Sequence, residues 1–451
     1  MTRAALMAVL CLAACSEPSP TTFRVVAGLD DTPFATGSDL AIALVGDDVI
    51  DERVFPIDAP TFELPALPFG QGLRFRVEAR TGDIVFARGA SFPFDSLDGA
   101  PPRRSPDVLF GTLGRMTRTT EQQPDARPLV VAAADDGARF VTALGTVYAY
   151  RAHAVDGEAR LEVLGRAPPH RTTGVWAAMG RRGFIAVGGS SGGASFVHAD
   201  TGASIELSTG LEVHRQGSTL IGFEEGALVV GGIVDGVPQG AVTWLELRES
   251  ALVATARSPL AQPVSDARGV SLTARDDAGR LESRALIIGG SGAPTAWVVD
   301  PLGQTPPVRS ALPLAGLSQA GIASIAPQLV LVCGGMTAAG PTDRMDLLIV
   351  DERGAADQLH PRPLATPRAG AAVIPSGSGR ALVVGGRGRF SLPHDTAELF
   401  EVRLDDLPGE VVPTGHAPGP LPNPHGTLLD DGSILVVDEG LIAIYFSPRS
   451  T

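Results

Sequence analysis

FIAVGG (184–189), ALVVGG (227–232), ALIIGG (285–290), LVLVCGG (329–335) and ALVVGG (381–386) are five versions of one short string. Each is an apolar run of strand length that stops at two glycines: Gly188–Gly189, Gly231–Gly232, Gly289–Gly290, Gly334–Gly335 and Gly385–Gly386. Successive first glycines lie 43, 58, 45 and 51 residues apart. ARFVTALG places Leu144 at the first-glycine position 44 residues before Gly188, and SILVVDEG places Asp438 there 53 residues after Gly385. Around each string the order is the same: strand, polar turn, apolar run, double glycine, variable loop, strand, Pro-rich connection. Asp136–Gly137 and Asp431–Gly432 put a residue that tolerates positive φ where a hairpin needs one. A period of 40 to 58 residues with about four strands predicts a propeller blade.

These repeats give the chain a resemblance to the kelch-type β-propellers over residues 107–451. The expected fold is all-β, with about seven four-stranded blades; six would follow if one degenerate copy forms no blade. The ten glycines have a structural role, since close backbone approach leaves no room for a side chain. The paired Tyr and Trp of the family are mostly missing, with tryptophan only at Trp176, Trp244 and Trp297. The last copy, ending in LIAIYFSP, is one strand short. Residues 107–120, DVLFGTLGRMTRTT, are available to supply it and close the ring.

Upstream, residues 23–96 contain FRVVAGL, DLAIALV, TFELPAL, LRFRVEA and DIVFARG, divided by Gly, Pro and Asp. Five strand-length runs in so short a segment predict a small immunoglobulin-like β-sandwich. SLDGAPPRRSPD then breaks the pattern, and residues 97–106 read as a linker.

The first residues read as an address. Arg3 precedes an apolar stretch from Ala4 to Leu12, too short to span a membrane, and Leu12-Ala13-Ala14-Cys15 follows. These four residues resemble the lipobox of bacterial lipoproteins. The resemblance implies a signal peptide over 1–14, a lipid on Cys15 and a tether over 15–22. Ser16 at the next position then implies sorting to the outer membrane. With Cys11 removed and Cys15 acylated, Cys333 is the one remaining thiol, placed inside an apolar strand and expected to be inert.

Composition narrows the function. The 451 residues carry a formal charge of −14 and no lysine. A phosphate-binding loop of the GK[ST] kind, a kinase strand lysine and a Schiff-base lysine are therefore excluded, and nucleotide and nucleic-acid partners are not expected. GGSSG at 188–192 matches a nucleophile-elbow pattern around Ser190, but a second strand, ASFVHAD, follows it where an elbow needs a helix. Asp135–Asp136, Asp276–Asp277, Asp405–Asp406 and Asp430–Asp431 are adjacent pairs that read as turn chemistry. The eight histidines (153, 170, 198, 214, 360, 394, 416 and 425) form no H-x-x-x-H or H-x-H pair, so no metal or other cofactor is expected. His170 and His425 come early in their blades, where a side chain can face the central channel. Copper radical oxidases share kelch-like propellers, but Tyr148, Tyr150, Tyr445 and Cys333 reproduce no string of that site, and no sialidase box occurs.

The resulting expectation is a non-catalytic envelope lipoprotein, membrane-anchored through Cys15, that binds a protein or glycan through propeller loops. The 58-residue copy, with DARGVSLTARDDAGRLESR at 266–284, supplies the candidate surface: Arg268, Arg275 and Arg280. The alternative is an envelope enzyme acting on sugars or glycans with a site assembled across the channel.

Overall fold

The computed structural model describes residues 7–8, 23–58, 67–68, 70–96, 108–152, 159–190, 192–206, 216–249, 251–275, 279–290, 295–312, 314, 318–377, 379–403 and 406–448. Its main body is a propeller of seven four-stranded antiparallel blades. The innermost strands are Pro128–Ala134, Val175–Met179, Thr219–Gly222, Arg268–Arg275, Gly321–Ala326, Ala372–Pro375 and His425–Leu428. Each touches the next around the ring, and the seventh touches the first.

The apolar runs are continuous because the second strand of each blade is covered on both faces. In blade 3, Ala227 and Val229 pack toward blade 2, while Leu228 and Val230 pack toward blade 4. Seven buried clusters result, one in each gap between neighbouring blades. Burying a Leu or Val side chain fully is worth about 1.5–3 kcal/mol, so this double-sided coverage dominates stability.

Closure uses the strand that the last copy lacks. Met116–Arg118 pairs with Leu441–Tyr445, setting Tyr445 opposite Met116 and Ile444 opposite Thr117. Val108–Thr112, just before it in the chain, belongs elsewhere. It lies between Phe23–Ala27 and Ile84–Ser91 in the N-terminal sheet. That sheet continues through Gly70–Thr81 and Asp39–Val45 to Val49–Pro56 at its edge, with Phe94–Ser96 also paired to Gly70–Thr81. One face covers a core that includes Leu40, Ile42, Leu44, Phe75, Val77 and Phe110. The described strands make one sheet, and most of TFELPAL lies outside the described residues, as do Cys15 and the tether.

The double glycines join blades to one another. Both members have positive φ, for example 64° at Gly231 and 95° at Gly232. In blades 3, 5 and 6 the N–H of the second glycine donates to the connection that leads into the next blade: Gly232 to Val264 O (2.7 Å), Gly335 to Arg368 O (2.8 Å) and Gly386 to Leu421 O (2.8 Å). A Cβ on Gly231 would sit 2.1 Å from the Val264 carbonyl oxygen, whereas one on Gly188 would meet nothing within 4 Å. Both positions are left-handed, so both Ala substitutions carry backbone strain of about 1–2 kcal/mol. Gly231→Ala should cost about 2 kcal/mol more than Gly188→Ala, because the connection must also move. Urea unfolding of the two variants measures the difference, and equal losses would remove close approach as the reason for the repeat.

Candidate binding face

All the double glycines lie at the end of the ring where the innermost strands begin, because the strand before each glycine pair runs antiparallel to its inner neighbour. In blades 3, 5 and 6 the loop after the glycines is elaborated. Ile233–Val234 pairs with Val237–Pro238, and Met336–Thr337 pairs with Gly340–Pro341. In blade 6 the loop forms a 3-10 turn, Arg389–Ser391.

That turn carries the most exposed large apolar side chain among the described residues. Phe390 is 93% exposed, and Leu392 beside it is 64% exposed. Phe390 (φ 60°) and Ser391 (φ 58°) are consecutive non-glycine residues in the left-handed region. Such conformations cost about 1–3 kcal/mol each and persist only where the surroundings enforce them. Here Gly388 N–H donates to Leu392 O (2.9 Å), Ser391 N–H donates to Gly388 O (3.2 Å), and the Arg387 guanidinium donates to Ser391 O (3.2 Å). Arg387 also exchanges backbone bonds with Ala369, which ties the loop to the connection beneath it.

Below the loop lies a buried arginine. Arg368 is 0% exposed and donates to Gly385 O, Thr396 O and Thr396 Oγ1, each at 3.0 Å, and to Glu398 Oε1 at 2.7 Å. Arg171 repeats the device in blade 2, donating to Ser195 Oγ (2.6 Å), Gly188 O (2.8 Å), Gly192 O and Glu206 Oε2 (2.8 Å). Burial would raise the Glu206 carboxyl, but hydrogen bonds from Arg171 and Ser195 hold it below its ordinary value. Each arginine stands four residues before the inner strand of its blade and clamps the first-glycine carbonyl of that same blade. The sequence reading missed both. The only signal available was their shared register with the double glycine.

The three arginines of the expected surface do not form one surface. The segment 266–284 is largely a hairpin of two eight-residue strands, Arg268–Arg275 and Leu281–Ile288, because Val270-Ser271-Leu272-Thr273-Ala274 alternates at the period of a strand. Arg268 begins the inner strand and Arg275 ends it, so they stand about 23 Å apart at opposite ends of the ring. Arg280 precedes Leu281, the partner of Arg275 in the ladder, and the Arg275 guanidinium donates to Gly279 O (2.9 Å). Arg268 instead stands at the double-glycine end, where the inner strand of blade 4 begins. His425 begins the inner strand of blade 7 at the same end; burial, then Arg127 and Arg268, push its imidazole below the ordinary value.

The remaining candidates are dispersed. Ser190 donates its N–H to His170 O (2.9 Å), and the next ordered element is the strand Ala194–His198. His170 faces Glu206 (3.4 Å), His360 faces Asp346 (2.9 Å) and His416 faces Asp395 (3.4 Å), while His153 and His214 lie outside the described residues. Among the described residues no three of His, Cys, Asp and Glu gather as a metal-binding group. Cys333 is buried in blade 5 with its thiol pushed up by burial. Tyr148 and Tyr150 lie in blade 1. Tyr445 lies in blade 7, where burial pushes its hydroxyl up to about 12 and it bonds Thr414 Oγ1. Asp136 holds a turn with Arg139 (2.8 Å) and Arg151.

A second concavity, of about 400 Å³, lies where the N-terminal sheet meets blade 7, between Arg74, Arg76 and Arg88 on one side and Asp431 and Ser433 on the other. Asp431 is 8% exposed, and burial pushes its carboxyl up to about 6, although Ser433 donates both N–H (2.9 Å) and Oγ (2.6 Å) to Oδ1. A carboxyl raised on folding binds its proton more tightly in the native state. Its contribution to stability is therefore lost as pH rises from about 4 to about 6. Asp431→Asn keeps the acceptor for Ser433 and removes the charge. The variant should gain roughly 2.4 kcal/mol over the parent between pH 4 and pH 7.5 in urea unfolding. A pH-independent difference would count against burial of this charge.

No protein-family model matches the chain, and no curated protein matches it.

Proposed function

We propose that the chain is a non-catalytic binding lipoprotein of the cell envelope, anchored through Cys15, whose kelch-like propeller captures a protein or glycan with its double-glycine face. The observation that carries this reading is Phe390, held almost fully exposed on a strained turn whose strain serves no packing purpose. An exposed aromatic flanked by arginines, here Arg387 and Arg389, is the composition of a binding hot spot. Preorganisation by Arg387 and Gly388 lowers the ordering cost that a flexible loop would pay on association.

The test compares the full chain, solubilised from membranes, with its Phe390→Ser form, using envelope extract and a glycan array. The substitution should lower partner recovery by at least about tenfold, since a hot-spot truncation costs 2 kcal/mol or more, with thermal unfolding unchanged. Equal recovery would remove this loop from the function, and turnover of a glycan on the array would replace binding with the enzyme reading. The anchor has its own readout. Cys15→Ser should shift the chain from the detergent to the aqueous phase and abolish the acyl mass on its N-terminal peptide.

A further inference from the structure

The N-terminal sheet has two faces of opposite character. Along Gly70–Thr81, Leu73, Phe75, Val77 and Ala79 turn to the apolar core, so Arg74 and Arg76 stand on the other face. Arg88 joins them from Ile84–Ser91, two positions before Ala90, the ladder partner of Arg76. That face meets blade 7 at the end of the ring opposite the double glycines. There Leu109 shares a buried cluster with Leu429 and Phe446, and the Arg74 guanidinium donates to Asp430 O (2.5 Å). The concavity of about 400 Å³ lies in this junction, within the range of about 300–1,000 Å³ typical of small-molecule sites.

Two opposite charges that line it are left unsatisfied. Of the three arginines, Arg88 is held by Glu78 (2.8 Å), and Arg76 lies 3.6 Å from both Glu52 and Glu78. Among the described residues Arg74 has no carboxylate within ion-pair distance, and its bond to Asp430 O leaves the rest of its fork open. Asp431 stands across from it, on the turn between the first two strands of blade 7. Ser433 gives both of its hydrogen bonds to Oδ1, while Oδ2 is buried and has no partner among the described residues. With its carboxyl at about 6, Asp431 is ionised at pH 7.5. A ligand that satisfies both groups must offer an anion to Arg74 and a cationic donor to Asp431. The two must be close together, because Arg74 already bonds the residue next to Asp431. The carboxylate and ammonium of an α-amino acid meet these demands, since one accepts a guanidinium fork and the other carries three donors. A hydroxyl would bond Oδ2 but leave its buried charge unbalanced. Leu113 and Phe446 line the same cavity and supply an apolar wall.

We infer that the junction between the N-terminal sheet and blade 7 binds a free α-amino acid with an apolar side chain. Its carboxylate lies on Arg74, its ammonium on Asp431 Oδ2 and its side chain against Leu113 and Phe446. Asp431, a burden to the fold when its charge is buried alone, is then kept for the ligand. The site is at the opposite end of the ring from the Phe390 turn, and neither assignment needs the other.

The test is isothermal titration of the full chain, solubilised from membranes, at pH 7.5 with L-leucine and L-phenylalanine. Each is titrated beside its amide, which lacks the carboxylate, and its deamino acid, which lacks the ammonium. At least one of the two amino acids should bind saturably at one site per chain, with its amide and its deamino acid weaker by about tenfold or more, as expected for loss of a charge-assisted bond. Arg74→Gln and Asp431→Asn should weaken the amino acid by a similar factor. Asp431→Asn is the sharper variant, because the same substitution should stabilise the fold at this pH, so lost binding cannot come from unfolding. No saturable binding by either amino acid, an amide or deamino acid as tight as its parent, or equal binding in Asp431→Asn would overturn the site.

Discussion

The ladder between Met116–Arg118 and Leu441–Tyr445 holds the ring shut, and every other feature of the propeller depends on it. Each blade is too thin to bury its own side chains and is stabilised only between two neighbours. An open ring would leave the first and last blades half covered and two strand edges unpaired. Closing it gives blade 7 a partner on each side, with Leu435 and Val437 facing blade 1 and Ile434 and Val436 facing blade 6. It also fixes the channel, since a lumen with facing walls exists only in a closed ring. The same stretch of chain carries Val108–Thr112 into the N-terminal sheet, so the closing strand follows that sheet after three residues.

Within the closed ring, backbone contacts set the height and orientation of the loops. In blades 3, 5 and 6 the second glycine of the pair holds the connection that leads into the next blade, and in blades 2 and 6 Arg171 and Arg368 hold the first-glycine carbonyl from within their own blade. Arg368 is wholly buried, and removing Glu398 would leave its charge uncompensated in the interior, a loss of about 3–5 kcal/mol by comparison with other buried pairs. An arginine in this place therefore specifies geometry more than it adds stability. The Phe390 turn sits on this platform through the bonds between Arg387 and Ala369, next to Arg368 in the chain.

Much of the architecture was legible because propeller blades are local. The runs ending at Gly188, Gly231, Gly289, Gly334 and Gly385 are strands buried on both faces, and such strands show as unbroken apolar strings whatever surrounds them. The missing strand of the last copy pointed to residues 107–120, and Met116–Arg118 is the part that closes the ring. The segment 266–284 was harder to read. Its length suggested a loop, while the alternation from Val270 to Ala274 marks a strand that carries Arg268 and Arg275 to opposite ends of the molecule.

The sequence by itself determined the repeating blade and the order of strands within it, because those properties arise from contacts within a few tens of residues; the count of seven, which the sequence left open against six, was decided by the structure. Only the tertiary structure decided which charges meet. Arg171 and Arg368 look like any other arginines in a Pro-rich connection until the first-glycine loop of the same blade folds over them. Their carboxylate partners, Glu206 and Glu398, stand 35 and 30 positions further on and meet them only when the blade folds, since electrostatic interactions follow distance in space and leave no period in the chain.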